Sequence, residues 1–299
     1  MLGGCSARKY CLPGCPAGSR PAACFVATPI QLISTDFDGT IFVETECPPV
    51  APELVAQLRE LQEQGTWWVV NTGRDLASVS AGLEQADLDI SPDYLVVVER
   101  EIFVREAGEF VALREWNDQC TADHERLFGQ VRRDIPKLAA WVRSRFDAMV
   151  YADPWSPFCL LARRTQDAET VHAYLEEYCC RVPELTVVRN DVYARFSHVA
   201  YSKGTALGEI GRRLGVPPAG VLAAGDHLND LPMLRRERAD WLVAPANAVP
   251  AVKAAVRLQG GYVSDRPHGY GVGEGLARAR AATGPAGGGR PPRIAAANV

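Results

Sequence analysis

The chain has 299 residues, enough for one large domain or two ordinary ones, and 47% hydrophobic with 23% charged residues is a globular composition. A net charge of −4 removes any general electrostatic case for nucleic acid or a membrane surface as a partner. The nine cysteines are irregularly spaced and include no C-x-x-C pair, so no zinc or redox motif is present, and reduced thiols in the cytoplasm are expected. No apolar stretch approaches the length of a membrane span.

Residues 1–28 are rich in Gly, Pro, Ala and Cys and show no periodicity. Leu2-Gly3-Gly4-Cys5 has the look of a lipoprotein cleavage box, but no apolar segment precedes Cys5 as an export signal requires. The expectation is a disordered extension, or a start codon read too far upstream. Metal binding by Cys5, Cys11, Cys15 and Cys24 is the minority alternative.

The ordered pattern starts with the apolar run Ile30 to Ile33, read as a buried strand. It leads into Ser34-Thr35-Asp36-Phe37-Asp38-Gly39-Thr40, two carboxylates two residues apart with a glycine to turn the chain. Pro52 and Gly65 bracket a helix whose apolar face is Leu54, Leu58 and Leu61. Trp67-Trp68-Val69-Val70 is a second buried strand, followed at once by Asn71-Thr72-Gly73-Arg74. A helix with Leu76, Val79 and Leu83 precedes a third strand, Tyr94 to Val98. This alternation predicts a parallel α/β sheet.

The pattern then changes. Ile102 to Val104 and Phe110 to Ala112 flank Ala107-Gly108 as a hairpin. From Glu115 to Phe196 the elements are short and mixed. A helical stretch with Leu127, Val131 and Ile135 is interrupted at Pro136. Strands are expected at Ala148–Tyr151, Cys159–Ala162, Leu185–Val188 and Val192–Phe196, with a helix over Thr170–Cys180. This predicts an α+β module inserted at residues 115–198 into a core of residues 29–114 and 199–282. The α/β rhythm resumes at Lys203, with Ala206, Ile210 and Leu214 on a helix, a strand at Gly220–Ala224 ending in Gly225-Asp226, and a strand at Trp241–Val243. Residues 283–299 read as a disordered tail.

Paired acids at a strand end can divide labour, one attacking or binding a metal and the other moving protons. An Asx-rich turn after a strand is the plainer reading of the same residues. Lys203 stands at a helix start, where the helix dipole disfavours a cation, so a compensating anion is expected beside it.

Asp36 and Asp38, Thr72 with Arg74, Lys203, and Gly225-Asp226-His227-Leu228-Asn229-Asp230 form, in this order, a set that resembles the haloacid dehalogenase superfamily of aspartate-nucleophile phosphohydrolases. The likeness spans about residues 30 to 280. The insertion between the second and third motifs is similar to the type IIB cap of Cof-like, sucrose-phosphate and mannosyl-phosphoglycerate phosphatases. Gly269-Tyr270-Gly271-Val272-Gly273-Glu274-Gly275-Leu276 is similar to their closing stretch. The resemblance implies a Rossmann-like, doubly wound parallel sheet with an inserted α+β cap.

It also implies roles. Asp36 is the nucleophile, and Asp38 is the acid and base. Asp36, the main-chain carbonyl of Asp38 and the Asp226 carboxylate are the Mg²⁺ ligands. Lys203, Thr72 and Gly73 are placed on the phosphoryl group. Asn229 either contacts phosphate or caps the following helix. Asp230 orients Lys203 or a metal-bound water. Arg74 is either a substrate contact or a salt-bridged residue, and His227 has a structural role. The sequence departs from the Cof-like pattern at Glu99-Arg100-Glu101, where Asn-Gly-Ala is common. The implied function is Mg²⁺-dependent hydrolysis of a small phosphorylated metabolite through an aspartyl-phosphate. A sugar phosphate is expected because Trp116, Asn117, Trp155, Arg163, Arg164, Arg189, Asn190 and Tyr193 fall in the insertion. A phosphomutase of the phosphomannomutase-like branch and an inactive sugar-binding or regulatory protein are the alternatives. The oligomeric state is left open.

Overall fold

In the computed structural model, which describes residues 28–283, the apolar run before the paired acids forms β1 (Leu32–Thr35), buried along its whole length. The expectations for residues 1–27 and 284–299 lie outside the described residues. After β1 come α1 (Pro52–Glu63), β2 (Trp67–Asn71), α2 (Leu76–Ala86) and β3 (Tyr94–Val97). β2 lies parallel to β1, and β3 lies parallel to β2. The predicted hairpin is β4 (Glu101–Glu106) and β5 (Glu109–Ala112), turning through Ala107 and Gly108, both at positive φ, as tight hairpins require.

The inserted elements are α3 (Arg114–Val131), α4 (Ile135–Arg143), β6 (Ala148–Asp153), β7 (Ser156–Ala162), α5 (Thr165–Cys179), β8 (Leu185–Asn190) and β9 (Tyr193–His198). Their strands form a separate antiparallel sheet in the order β6-β7-β9-β8. Pro136 does not break a helix. It sits in the first turn of α4, where its missing N–H has no partner to lose. α5 starts five residues before the expected Thr170. The chain returns through α6 (Lys203–Leu214), β10 (Val221–Ala224), β11 (Trp241–Ala244), α7 (Pro250–Leu258), β12 (Tyr262–Val263) and α8 (His268–Thr283).

The large sheet runs β12-β11-β10-β1-β2-β3-β4-β5. Strand order reverses between β1 and β10, and a crevice at such a point is where doubly wound sheets bind ligands. Successive residues of a strand face opposite sides, so Trp68 packs with Leu54, Val79 and Val272 from α1, α2 and α8. Trp67 packs with Leu207, Ile210 and Val252 from α6 and α7. Helices on both faces explain strands buried without alternation. In the inserted unit Leu127, Leu138, Leu175, Leu160 and Phe196 close one face of the sheet against its helices. The other face carries Met149, Tyr151, Leu161, Tyr193 and Arg195, matched across strands. Arg195 reaches the main-chain oxygen of Val98 just after β3, so this face turns toward the core. No helix among the described residues is long and apolar enough to cross a membrane.

The glycine-rich closing stretch is helical despite four alternate glycines, and its last residue is Thr283, which the sequence assigned to the tail. A Cβ on Gly271 would fall 2.2 Å from the oxygen of Arg266, and one on Gly275 would fall 2.5 Å from a methyl of Val243. The helix therefore lies directly on β11. Gly275→Ala is expected to lower stability by about 1–3 kcal/mol through overpacking, read by denaturant unfolding. A gain of about 1 kcal/mol, as helix propensity alone would give, would contradict this packing.

Candidate active site

The ends of β1, β2 and β10 and the start of α6 converge at the reversal point. Asp36 follows β1 directly and is buried. Gly39 follows with φ of 74°, and a Cβ there would meet Asp226 Oδ2 at 2.8 Å. The glycine thus lets the β1 loop close on the Asp226 carboxylate. Thr40, quoted in the motif but given no role from sequence, donates its hydroxyl to Asp226 Oδ1 at 2.8 Å and lies 3.2 Å from Asp36 Oδ2.

Lys203 opens α6, with Ser202 and Thr205 forming a capping box around its first turn. Its side chain is out of contact with water and lies 2.5 Å from Asp36 Oδ1 and 2.6 Å from Asp230 Oδ1. The other oxygen of Asp230 accepts from the main-chain N–H of Asp226 and of His227 at 2.8 and 2.9 Å. Asp230 thus faces Lys203 with one oxygen and two main-chain N–H groups with the other. Asn71, for which the sequence suggested no task, donates to the main-chain oxygen of Lys203 at 2.9 Å.

Burial pushes the Asp36 carboxyl well above the usual carboxylate range, aided by Asp230 and Asp226 and opposed by Lys203. Burial, then Asp230, pushes Asp226 up to about 6. Burial also works against the charge on Lys203, but Asp230 and Asp36 outweigh it and hold the ammonium above its ordinary range. All three are raised, the two carboxyls by burial and by neighbouring acids, the ammonium by the carboxylates it faces.

Asp38 is half-exposed and held by Arg74, whose Nη2 and Nε lie 2.5 and 2.8 Å from its two oxygens. The Arg74 guanidinium also lies over the rings of Phe37 and Phe42, 5.2 and 5.3 Å from their centroids. Arg74 is salt-bridged here, and its partner is the second acid of the motif. Thr72 is buried, with its hydroxyl oxygen accepting from the N–H of Arg74 at 3.1 Å. Gly73 lies beside Glu99, whose Oε1 would be 3.4 Å from a Cβ at that position. Asn229 donates to Glu99 Oε1 at 3.0 Å. His227 Nδ1 accepts from the N–H of Asp191 at 3.4 Å, which ties the β8–β9 turn to the core.

Two further residues gather at the mouth without a sequence signal of their own. Asn247 donates to the oxygen of Gly39 at 2.8 Å and lies 3.3 Å from Asp226 Oδ2. His268 Nδ1 donates to the same Gly39 oxygen at 2.7 Å. A cavity of about 560 Å³ at the seam is lined by Glu99, Lys203 and Asn229 but by none of Asp36, Asp38 and Asp226. It adjoins the acid cluster without containing it.

A family model for haloacid dehalogenase-like hydrolases matches residues 148–269. A phosphoglycolate phosphatase of Methanothrix thermoacetophila is 42% identical over 219 residues, covering 72% of this chain and 93% of the relative. A phosphoglycolate phosphatase of Methanopyrus kandleri is 28% identical over 249 residues, covering 81% and 94%. The sucrose-phosphatase of Synechocystis, solved with sucrose and phosphate, superposes with a TM-score of 0.63 at 18% identity, covering 84% of this chain and 98% of that one. This last likeness is one of fold. Kinship over most of both chains and the shared fold give one answer: the protein belongs to the haloacid dehalogenase-like hydrolases and is a phosphoric monoester hydrolase.

Proposed function

We propose that the protein hydrolyses a small phosphomonoester with Mg²⁺ through an aspartyl-phosphate on Asp36, with the inserted α3–β9 unit as the cap over the leaving group. The observation that carries this reading is the charge imbalance after β1. Asp36, Asp226 and Asp230 bring ligand oxygens within 4.8 Å of one another, against one buried ammonium. Hard oxygen donors short of positive charge suit Mg²⁺. Asp230 has both oxygens committed, one to Lys203 and one to two main-chain N–H groups. The ligands proposed are therefore Asp36, Asp226 and the main-chain carbonyl of Asp38. When bound, the ion supplies the positive charge that lets a carboxylate meet a phosphate anion.

Asp36 attacks phosphorus and displaces the alkoxide, splitting one hard step into two. Asp38 gives the alkoxide a proton, then takes one from the water that hydrolyses the intermediate. Arg74 positions the Asp38 carboxylate through its two-point contact. Lys203 neutralises Asp36 and one phosphoryl oxygen. The Thr72 hydroxyl, the Gly73 main chain and the Asn229 amide receive the others. Free thiols at Cys47, Cys120, Cys159, Cys179 and Cys180 fit a reducing cytoplasm.

For the leaving group we take a small acidic alcohol, as in phosphoglycolate, the substrate that the 42% identical relative is named for. The sugar expectation loses most of its residues to other duties. Asn117 binds the main chain of Ile102 on both sides, and Trp116 donates to the oxygen of Arg100. Arg163, Arg164 and Arg189 pair with Asp147, Asp167 and Glu169. Tyr193 donates to Cys159 Sγ at 3.7 Å and Trp155 bonds Glu101, which leaves Asn190 for a sugar.

Asp36→Asn is expected to leave less than about a tenth of wild-type kcat, a barrier change above ~1.4 kcal/mol. A variant above that level would remove Asp36 from the nucleophile role. Asp38→Asn should lose about 10²–10⁴-fold in kcat with its thermal midpoint unchanged; a wild-type rate and pH profile would contradict the acid–base assignment. In a comparison of kcat/KM, phosphoglycolate should exceed sugar phosphates by more than about tenfold, or ~1.4 kcal/mol of discrimination. The opposite order would restore the sugar reading, and isomer formation without phosphate release would favour a mutase.

A further inference from the structure

Val98 and Glu99 leave β3 in left-handed backbone, with φ of 44° and 68°. That conformation is uncommon for any side-chain-bearing residue and costly for a β-branched one such as Val98, so it calls for a reason. Its consequence is that the Glu99 carboxylate turns inward. The residue is 7% exposed, and its Oε1 lies against both Gly73 and Asn229. Those are two of the positions assigned above to the phosphoryl group. A carboxylate in that place has the wrong sign for a phosphate anion.

The covering charge comes from the cap. Arg195, on β9, is buried, and its Nη2 lies 3.9 Å from Glu99 Oε2 while donating to the Val98 oxygen at 2.5 Å. Burial alone would weaken the Arg195 charge, but Glu99, Tyr193, Asp153 and Cys159 hold the guanidinium above its ordinary range. Asn229 is held only from its nitrogen side, since its buried Oδ1 has no partner among the described residues. Glu99 thus orients an amide assigned to phosphate while being screened by an arginine that belongs to the other unit.

We propose that Glu99 and Arg195 form a charge gate between the cap and the phosphate site. With the cap docked, Arg195 cancels Glu99 and phosphate binds. With the cap displaced, Glu99 loses its cap partner beside Gly73 and Asn229 and keeps only the core cations Lys203 and Arg100, so the same site holds phosphate more weakly. The gate therefore couples cap opening to release of inorganic phosphate. Glu99 touches no reacting atom and acts as a positioning residue. The inference rests on the phosphate-site reading given above.

The test is product inhibition of the full-length enzyme by inorganic phosphate. Arg195→Gln should raise Ki about tenfold or more, equivalent to about 1.4 kcal/mol. Glu99→Gln, which keeps an acceptor for Asn229 but removes the charge, should leave Ki within about threefold of wild type, under ~0.7 kcal/mol. The double variant should return to that same range, a rescue that a merely structural role for Arg195 would not give. Arg195→Lys keeps a cap cation and should hold Ki near wild type. It also serves if the Gln variant does not fold, since a tenfold loss in Arg195→Lys that Glu99→Gln fails to reverse overturns the gate. An unchanged Ki in Arg195→Gln, or a double variant as weak as the single one, also overturns it. Absence of phosphate inhibition in the wild-type enzyme would instead remove the phosphate-site assignment, and the gate with it.

Discussion

The ammonium of Lys203 is the charge on which the catalytic end of the sheet closes. It comes from the first residue of α6, where a cation is disfavoured by the helix dipole, and it is wholly removed from water. Only the two carboxylates facing it make that position tenable. Asp36 belongs to the β1 end, and Asp230 belongs to the loop after β10, itself pinned by two main-chain N–H groups. Asn71 at the end of β2 holds the main chain of Lys203. One residue thus ties three strand ends together, two through its side chain and one through its main chain. Close approach is part of the arrangement: a Cβ on Gly204 would stand 2.0 Å from the Pro232 oxygen, so α6 can reach the loop only with a glycine there. Buried ion pairs are a weak source of stability, because desolvation offsets much of their attraction. Under the proposed mechanism the reason to keep this one is chemical.

The same cluster explains where a further positive charge belongs. Asp36 and Asp226 are both raised, while Asp230 has its charge met by Lys203 and by amide hydrogens. Among the described residues, the remaining oxygens of Asp36 and Asp226 meet only the Thr40 hydroxyl and the Asn247 amide. Around this negative centre the polar groups face inward from the core, and the small sheet turns its helix-free face toward it. That face is partly apolar, with Met149, Tyr151 and Leu161 exposed beside the buried Arg195. In the proposed reading, an apolar surface brought down over the site would exclude water, and Arg195 would give the closed position its electrostatic meaning.

Much of this was legible in the sequence because each strand end carries its own punctuation. Apolar runs stop at Asp36, at Asn71-Thr72 and at Gly225-Asp226, and Lys203 sits at an abrupt return of helical periodicity. The hairpin at Ala107-Gly108 and the mixed module after Glu115 could be seen for the same reason. At the end of the core α8 carries four alternate glycines, which are poor helix formers, and contact with β11 and the Arg266 turn decides for a helix there. Pro136 reads as an interruption in the sequence because its place in a first turn depends on where the previous helix stops. Thr40, Asn247 and His268 join the site through contacts between segments distant in sequence, and composition carries no trace of that. Glu99 was visible as a departure from a family pattern. Its inward direction comes from left-handed backbone at two residues without glycine, which no periodicity shows.

The central claim is that phosphoryl transfer passes through Asp36 in two displacements. The most direct measurement is the stereochemical course of hydrolysis, using a phosphorothioate monoester made chiral at phosphorus with two oxygen isotopes and water carrying the third. Two successive in-line displacements each invert phosphorus, so the account predicts overall retention of configuration in the released thiophosphate. Overall inversion would mean that water attacks phosphorus directly, and Asp36 would not be the nucleophile.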